Sequence, residues 1–166
     1  SAVAILALAL GIGANTAIFT VINTVLLKPL PYPEPDRMVR LMRGYKQGTS
    51  DSISVPKYTL WKKHSQVFDA VAAYDFAGPG MNLGGGDKPE QVKGIHVSAE
   101  FFPAFGAKPS IGRFFTEDED RPGGQSVIVL SHGLWQRRFG GDPGIVGRTI
   151  KLNDDLFTVV GIMRPD

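Results

Sequence analysis

The chain has 166 residues, 43% hydrophobic and 20% charged, enough for one modest domain and an additional element. Its 18 basic and 16 acidic residues leave a net charge of only +2, and no dense Lys/Arg stripe is interleaved with aromatics, which excludes a nucleic-acid surface. The absence of cysteine excludes disulfides and thiolate metal sites.

The charges are unevenly placed. Residues 1–27 carry none, so all formal charge lies from Lys28 onward, where the chain is as polar as a soluble domain. The chain starts at Ser1 and stops at Asp166 just after a strand-like run, and both ends read as cut. The run Ala2–Leu27 is apolar enough to be a transmembrane helix. It would extend roughly 39 Å against a hydrocarbon core of ~30 Å. Tilt, or a last turn in the interface, absorbs the excess. Helix suits it because lipid leaves every backbone N–H and C=O to be satisfied within the segment. Pro29, Pro31, Pro33 and Pro35 stop it, and Lys28 and Tyr32 are suitable interfacial anchors.

Within this run Asn15, Thr16, Thr20, Asn23 and Thr24 follow helical spacing and are expected on one face. Ala9, Gly13 and Ala17 form a small-residue ridge that admits a neighbouring helix. The expected helix contacts are Gly11, Gly13, Asn15 and Ala17, with Asn15 facing protein or water because an unbonded amide at membrane depth is costly. A cleaved signal peptide would have a shorter apolar core, although Ala7-Leu8-Ala9 imitates its cleavage site. A buried helix of a soluble protein would rarely run uncharged for 27 residues. Gly11-Ile12-Gly13-Ala14-Asn15 lacks the third glycine, the Lys-Ser/Thr ending and the preceding strand of a nucleotide loop. Arg37, Arg40 and Arg43 taken alone would put the following chain in the cytoplasm, and the residue pattern leaves topology open.

Beyond the prolines, Met38–Met42 reads as a half-buried strand and Tyr45–Ser54 as a loop. Pro56 opens a helix to about Gln66 with Tyr58, Leu60 and Trp61 as its apolar stripe. Phe68–Phe76 is expected as strand and Gly78–Lys88 as a loop with a Gly84-Gly85-Gly86 tip. A strand Gln91–Val97 follows, then a short helix over Glu100–Phe105, capped by Ser98 and ended by Gly106. Ser126–Leu130 has the continuous apolar character of a strand buried on both faces. Ser131 caps a helix His132–Phe139 stopped by Gly140-Gly141. Arg148–Leu152 and Leu156–Met163 form a hairpin across Asn153-Asp154-Asp155. Without an internal repeat, this order gives an α+β fold: one N-terminal transmembrane helix followed by a partial mixed α/β extracytoplasmic core domain.

No catalytic constellation emerges. His64, His96 and His132 are far apart in sequence and lack a second His or Cys at ligand spacing. Ser131 and His132 are adjacent and point apart, so they are not a nucleophile–base pair. Glu117-Asp118-Glu119-Asp120 lacks the alternating ligands and glycine bend of a calcium loop and reads as a solvated loop or helix start. Arg137, Arg138 and Arg148 are available to nearby acids or a partner. No catalytic residue, cofactor or metal is expected.

Leu10–Tyr32 (LGIGANTAIFTVINTVLLKPLPY) resembles the first transmembrane helix and exit of MacB-like ABC transporter permeases. Leu130–Met163 (LSHGLWQRRFGGDPGIVGRTIKLNDDLFTVVGIM) is similar to the end of that family's periplasmic core domain. Pro35-Asp36-Arg37, Val97-Ser98-Ala99-Glu100-Phe101-Phe102 and Gly112-Arg113-Phe114-Phe115 also fit, and the likeness is closest to acidobacterial-type orphan permeases. The resemblance implies a transmembrane helix over residues 1–29 and a C-terminally truncated core domain over 30–166. It also implies a bacterial inner-membrane protein with residues after about 30 outside. Implied partners are a cytoplasmic ABC ATPase, a second permease copy in a homodimer, membrane lipid and a periplasmic adaptor. ATP hydrolysis would reside in the ATPase, and the external domain would couple ATP-driven motion to export or envelope work. A membrane-tethered regulatory module that does not itself transport is the alternative with the same layout.

Overall fold

The computed structural model describes residues 2–23, 34–75, 80–85 and 90–165. The chain falls into two compact units, Ser1–Val39 and Arg40–Asp166. The expected boundary between residues 29 and 30, the prolines at 29, 31 and 33, and Thr24, Lys28 and Tyr32 lie outside the described residues.

The first unit is built on α1, Ala2–Ile22, 21 residues without an internal proline. At 1.5 Å per residue it is roughly 31 Å long, close to the ~30 Å hydrocarbon thickness of a bilayer. A 3-10 turn, Pro35–Arg37, follows with Glu34 in the left-handed region at φ 50°. Arg37 Nη1 donates to Glu34 Oε2 at 2.8 Å across this turn.

The second unit opens with a hairpin, β1 (Arg43–Tyr45) and β2 (Gly48–Ser50), turning through Lys46-Gln47. The strand expected at Met38–Met42 is absent. A strand exists only where a neighbour takes up its backbone bonds, and the first residue here with such a neighbour is Arg43, opposite Ser50. The expected loop Tyr45–Ser54 accordingly contains β2. Helix α2 spans Val55–His64, two residues short of the expected end, with proline in its first turn.

Of the strand expected at Phe68–Phe76, Phe76 lies outside the described residues and residues 68–75 form no strand, making one isolated bridge, Tyr74 with Val97. Ser98 explains the interruption, because its hydroxyl accepts from Ala73 N at 3.0 Å and replaces a ladder carbonyl. Strand β3 (Met81–Leu83) lies inside the expected glycine loop and pairs with β4 (Glu90–Val92), so the expected strand Gln91–Val97 is shorter and begins earlier. Helix α3 covers only Phe101–Ala104, and Gly106 at φ 62° follows it. Ser98 contributes its backbone carbonyl to Phe101 N and not a side-chain cap. Strand β5 (Pro109–Gly112) was not expected.

The remaining elements follow the sequence reading closely. Strand β6 is Val127–Leu130, α4 is His132–Phe139, β7 is Thr149–Leu152 and β8 is Asp155–Met163. Ser131 Oγ accepts from Leu134 N at 3.3 Å, and Gly140 closes α4 at φ 62°. Asn153 turns the β7–β8 hairpin at φ 53°, a value asparagine tolerates better than most side chains. Its backbone N–H donates to Asn82 O at 2.8 Å and its Oδ1 accepts from Asn82 N at 3.0 Å, tying the turn to β3.

The main sheet runs β4-β3-β7-β8-β5, antiparallel throughout, with β6 added parallel to β8. Along its nine residues β8 is thus shared by three partners. Strand β6 is half-buried except at Leu130, which corrects the expectation of burial on both faces: among the described strands it pairs only with β8. Leu83, Val92, Leu130, Trp135, Ile145, Ile150, Leu152, Val159 and Ile162 form the core. Trp135 brings α4 into it and anchors its indole N–H on Asp142 O at 2.9 Å.

Candidate functional site

Two features stand out, the surface of α1 and a joint between α2, α3 and the turn after β5. On α1, Val3, Ile5, Leu8, Leu10, Ile12, Ile18, Phe19 and Val21 are all exposed. None of the helix's membrane-length apolar window is buried within the chain. So much uncovered apolar surface requires an apolar environment or partner. Thr16 and Thr20 are already satisfied: Thr16 Oγ1 donates to Ile12 O and Thr20 Oγ1 to Thr16 O, both at 2.8 Å. A Cβ added at Gly11 or Gly13 would meet nothing within 4 Å.

The four expected contacts do not share a face. In a regular helix Gly11 and Asn15 are one turn apart on one strip, and Gly13 and Ala17 one turn apart on another. These strips are separated by roughly 160°. Thr16 and Thr20 lie within about 60° of Gly13, Asn15 about 160° from it, and Asn23 about 80° from each, so the polar set expected on one face spreads over a wide arc.

The joint is built from two short sequence motifs. In Val97–Phe102, Ser98 holds the backbone of Ala73, and Ala99 N donates to Asp120 Oδ2 at 3.2 Å. Glu100 Oε1 pairs with Lys62 of α2, and its Oε2 accepts from the Tyr58 hydroxyl at 3.3 Å. Lys62 lies a second pairing distance, 3.5 Å, from Glu117. In Gly112–Phe115, Arg113 grips Glu119 through two bonds, Nη1 to Oε2 at 2.8 Å and Nη2 to Oε1 at 2.6 Å. Phe114 stacks on Phe102 with centroids 4.2 Å apart and planes 13° from parallel, and Phe115 lies 5.8 Å from the same ring. Phe101 meets Phe102, Phe105 and Tyr74.

The electrostatics strengthen the joint. Arg113's hydrogen bonds, against a smaller cost of burial and with help from Thr116, hold the Glu119 carboxyl down at about 2. Glu119 in turn raises the Arg113 guanidinium. Burial works against ionisation of Glu100, but the bonds from Lys62 and Tyr58 prevail and keep its carboxyl below the usual range. Burial also works against the Lys62 ammonium, and Glu100 outweighs it. Burial pushes the Tyr58 hydroxyl upward. Three of the four acids at 117–120 therefore face partners inside the joint, and the fourth, Asp118, pairs with Arg121 at 3.1 Å.

Such an arrangement can clamp but has no group poised for bond-making. His96 lies 3.5 Å from Asp75, His132 packs on Trp135, and the described residues hold no cluster of three or more metal-ligating side chains. Arg137 pairs with Glu90 and Arg148 with Asp142 at 3.6 Å. From sequence, Tyr58 is expected in an apolar stripe, Glu100 and Arg113 fall within family-like motifs and Glu119 in a solvated acidic run; Lys62, and the pairing of all five into one joint, are not legible there. The available signals were the i,i+4 spacing of Tyr58 and Lys62 and the proximity of Arg113 to an acidic run.

Comparison with known proteins follows the same outline. A model of the MacB-like periplasmic core domain matches residues 1–166. The crystal structure of the periplasmic region of MacB from Actinobacillus actinomycetemcomitans has a similar fold, with a TM-score of 0.56 at 21% identity. The match covers 68% of this chain and 50% of that one, so the chain accounts for half the length of the structure it resembles. No match was found among the curated proteins.

Proposed function

The chain belongs to the MacB-like periplasmic core domain family, and on that premise we propose that it is a membrane span and extracytoplasmic arm of an ABC transporter permease. The observation that carries this reading is the pairing of the family match over all 166 residues with a helix whose apolar surface is uncovered. In this reading residues 1–29 cross the bacterial inner membrane and 30–166 form the external core domain. A cytoplasmic ABC ATPase hydrolyses ATP, and the chain itself performs no catalysis.

The permease acts as a homodimer in which α1 has neighbours on two sides, one along Gly11 and Asn15 and one along Gly13 and Ala17. Small residues permit close backbone approach there, and Asn15 finds a hydrogen-bond partner across the interface. The external domain moves between two arrangements that ATP binding biases differently, engaging export substrate or a periplasmic adaptor. The clamp at Glu100, Arg113 and Glu119 keeps α2 and the aromatic cluster moving with the sheet as one body.

Alkaline phosphatase fused after Asp166 tests the topology. An active, uncleaved fusion that resists carbonate extraction is expected. Activity released with an N-terminally cleaved product, or a stable inactive fusion, would overturn the reading.

A further inference from the structure

The chain's net charge has a location. Residues 40–51 hold three basic side chains, Arg40, Arg43 and Lys46, against one acid, Asp51, a local balance of +2. The other residues carry fifteen charges of each sign and balance to zero. In the fold this segment is a short strap, Arg40–Met42, leading into the β1–β2 hairpin. Its two strands pair with each other and with no other described strand.

Apolar side chains are interleaved with the cations. Met42 is 48% exposed and Tyr45 52%, in an element with no core of its own. Arg40 pairs with Asp51, while the half-buried Arg43 has its guanidinium 4.6 Å from the Tyr45 ring centre, with Nε buried and lacking a hydrogen-bond partner. Lys46 sits at the exposed turn without an ion pair among the described residues. Alternating cations with Met and Tyr on an exposed element suits a bilayer interface: the cations meet lipid phosphates and the apolar groups enter the headgroup layer. Arg40 also follows the end of α1 by only eighteen positions in the chain.

We propose that the β1–β2 hairpin and its strap dock on the anionic headgroups of the bilayer that α1 crosses. The inference rests on the reading of α1 as a span. It gives the arginines after α1 a use on the external side, where their number alone would argue against placing them.

The absence of cysteine makes the test direct, since an introduced cysteine takes a spin label without background. Gln47→Cys reports the hairpin tip, Ile12→Cys the span, and Asp154→Cys the β7–β8 turn. Each is placed in the full chain, reconstituted in phosphatidylcholine vesicles with or without phosphatidylglycerol. Accessibility to oxygen and to a water-soluble nickel chelate reads depth.

Ile12 is expected deep and Asp154 aqueous in both lipids. Gln47 moves to interfacial depth only with phosphatidylglycerol, and the bound-to-free ratio falls about fivefold for each neutralised charge in Arg43→Gln and Lys46→Gln. Raising salt on the Gln47→Cys chain, with Arg43 and Lys46 in place, reverses the shift and separates lost docking from lost folding. A Gln47 label that stays aqueous beside a deep Ile12 overturns the docking alone. A shift of equal size in neutral lipid overturns its electrostatic basis. An aqueous Ile12 label overturns the span, and the docking with it.

Discussion

Glycine serves opposite purposes in the two units. Gly11 and Gly13 of α1 face open space, whereas Gly112 and Gly161 are register partners where β5 crosses β8. A Cβ at Gly161 would lie 2.1 Å from Arg113 O, and one at Gly112, where φ is 76°, 2.3 Å from Val160 O. In the sheet the close approach that glycine permits is already occupied by the chain's own backbone. In α1 it is available for a neighbour. Crowding marks a contact the fold has made, and openness beside uncovered apolar surface is what the proposed packing of α1 against a neighbour requires.

Substitution at the crowded end should be the most damaging. Gly161→Ala is expected to cost roughly 4 kcal/mol or more, because backbone atoms cannot yield as a side-chain tip can. Thermal unfolding of the full chain in detergent, followed by near-ultraviolet circular dichroism, reads it; a melting temperature unchanged from the parent would refute the crossing. Trp135→Ala should cost about 3–5 kcal/mol in the same assay, since it empties the core under α4 and orphans Asp142 O.

Glu119→Gln breaks the clamp without a cavity and should cost about 2 kcal/mol, discounted because Arg113 is half exposed. Its pH dependence has a definite sign. A carboxyl held at about 2 when folded and near 4.5 when free stabilises the fold fully above the higher value and loses that contribution as pH falls toward the lower. Stability measured through this window should therefore fall more steeply for the parent than for Glu119→Gln. Equal slopes would remove Glu119 from the account.

At the open end, Gly13→Leu should leave the unfolding of the sheet unit unchanged while weakening permease association, read by cross-linking in membranes. Intact dimers would sink the assigned contact; a destabilised sheet would show that the two glycine environments are not independent.

The division between legible and hidden structure follows the range of the interactions. The β7–β8 hairpin and α4 could be read from sequence because the left-handed turn at Asn153, the Ser131 cap and the Gly140 stop are local backbone features. Strands β1, β2 and β3 are three residues each, too short for an alternating pattern to declare itself, and their existence depends on partners elsewhere. The joint was visible only as two separate motifs. Nothing local reveals that Ser98 would hold Ala73, or that Phe114 would lie on Phe102, because both are products of chain topology. For α1 the apolar run was plain, and the division of its small residues between two strips follows from helical spacing once the helix is regular.

Strand β8 also imposes an order of events. It carries Val159 and Ile162, both fully buried, and lies later in the chain than each of its partners β5, β6 and β7. Strand β5 must wait some fifty residues for it and β6 about thirty. Until β8 emerges these segments have no template, and loop closure precedes any reward in pairing. A chain emerging from its N-terminus would therefore pass through an interval with its core residues unsheltered and open to aggregation.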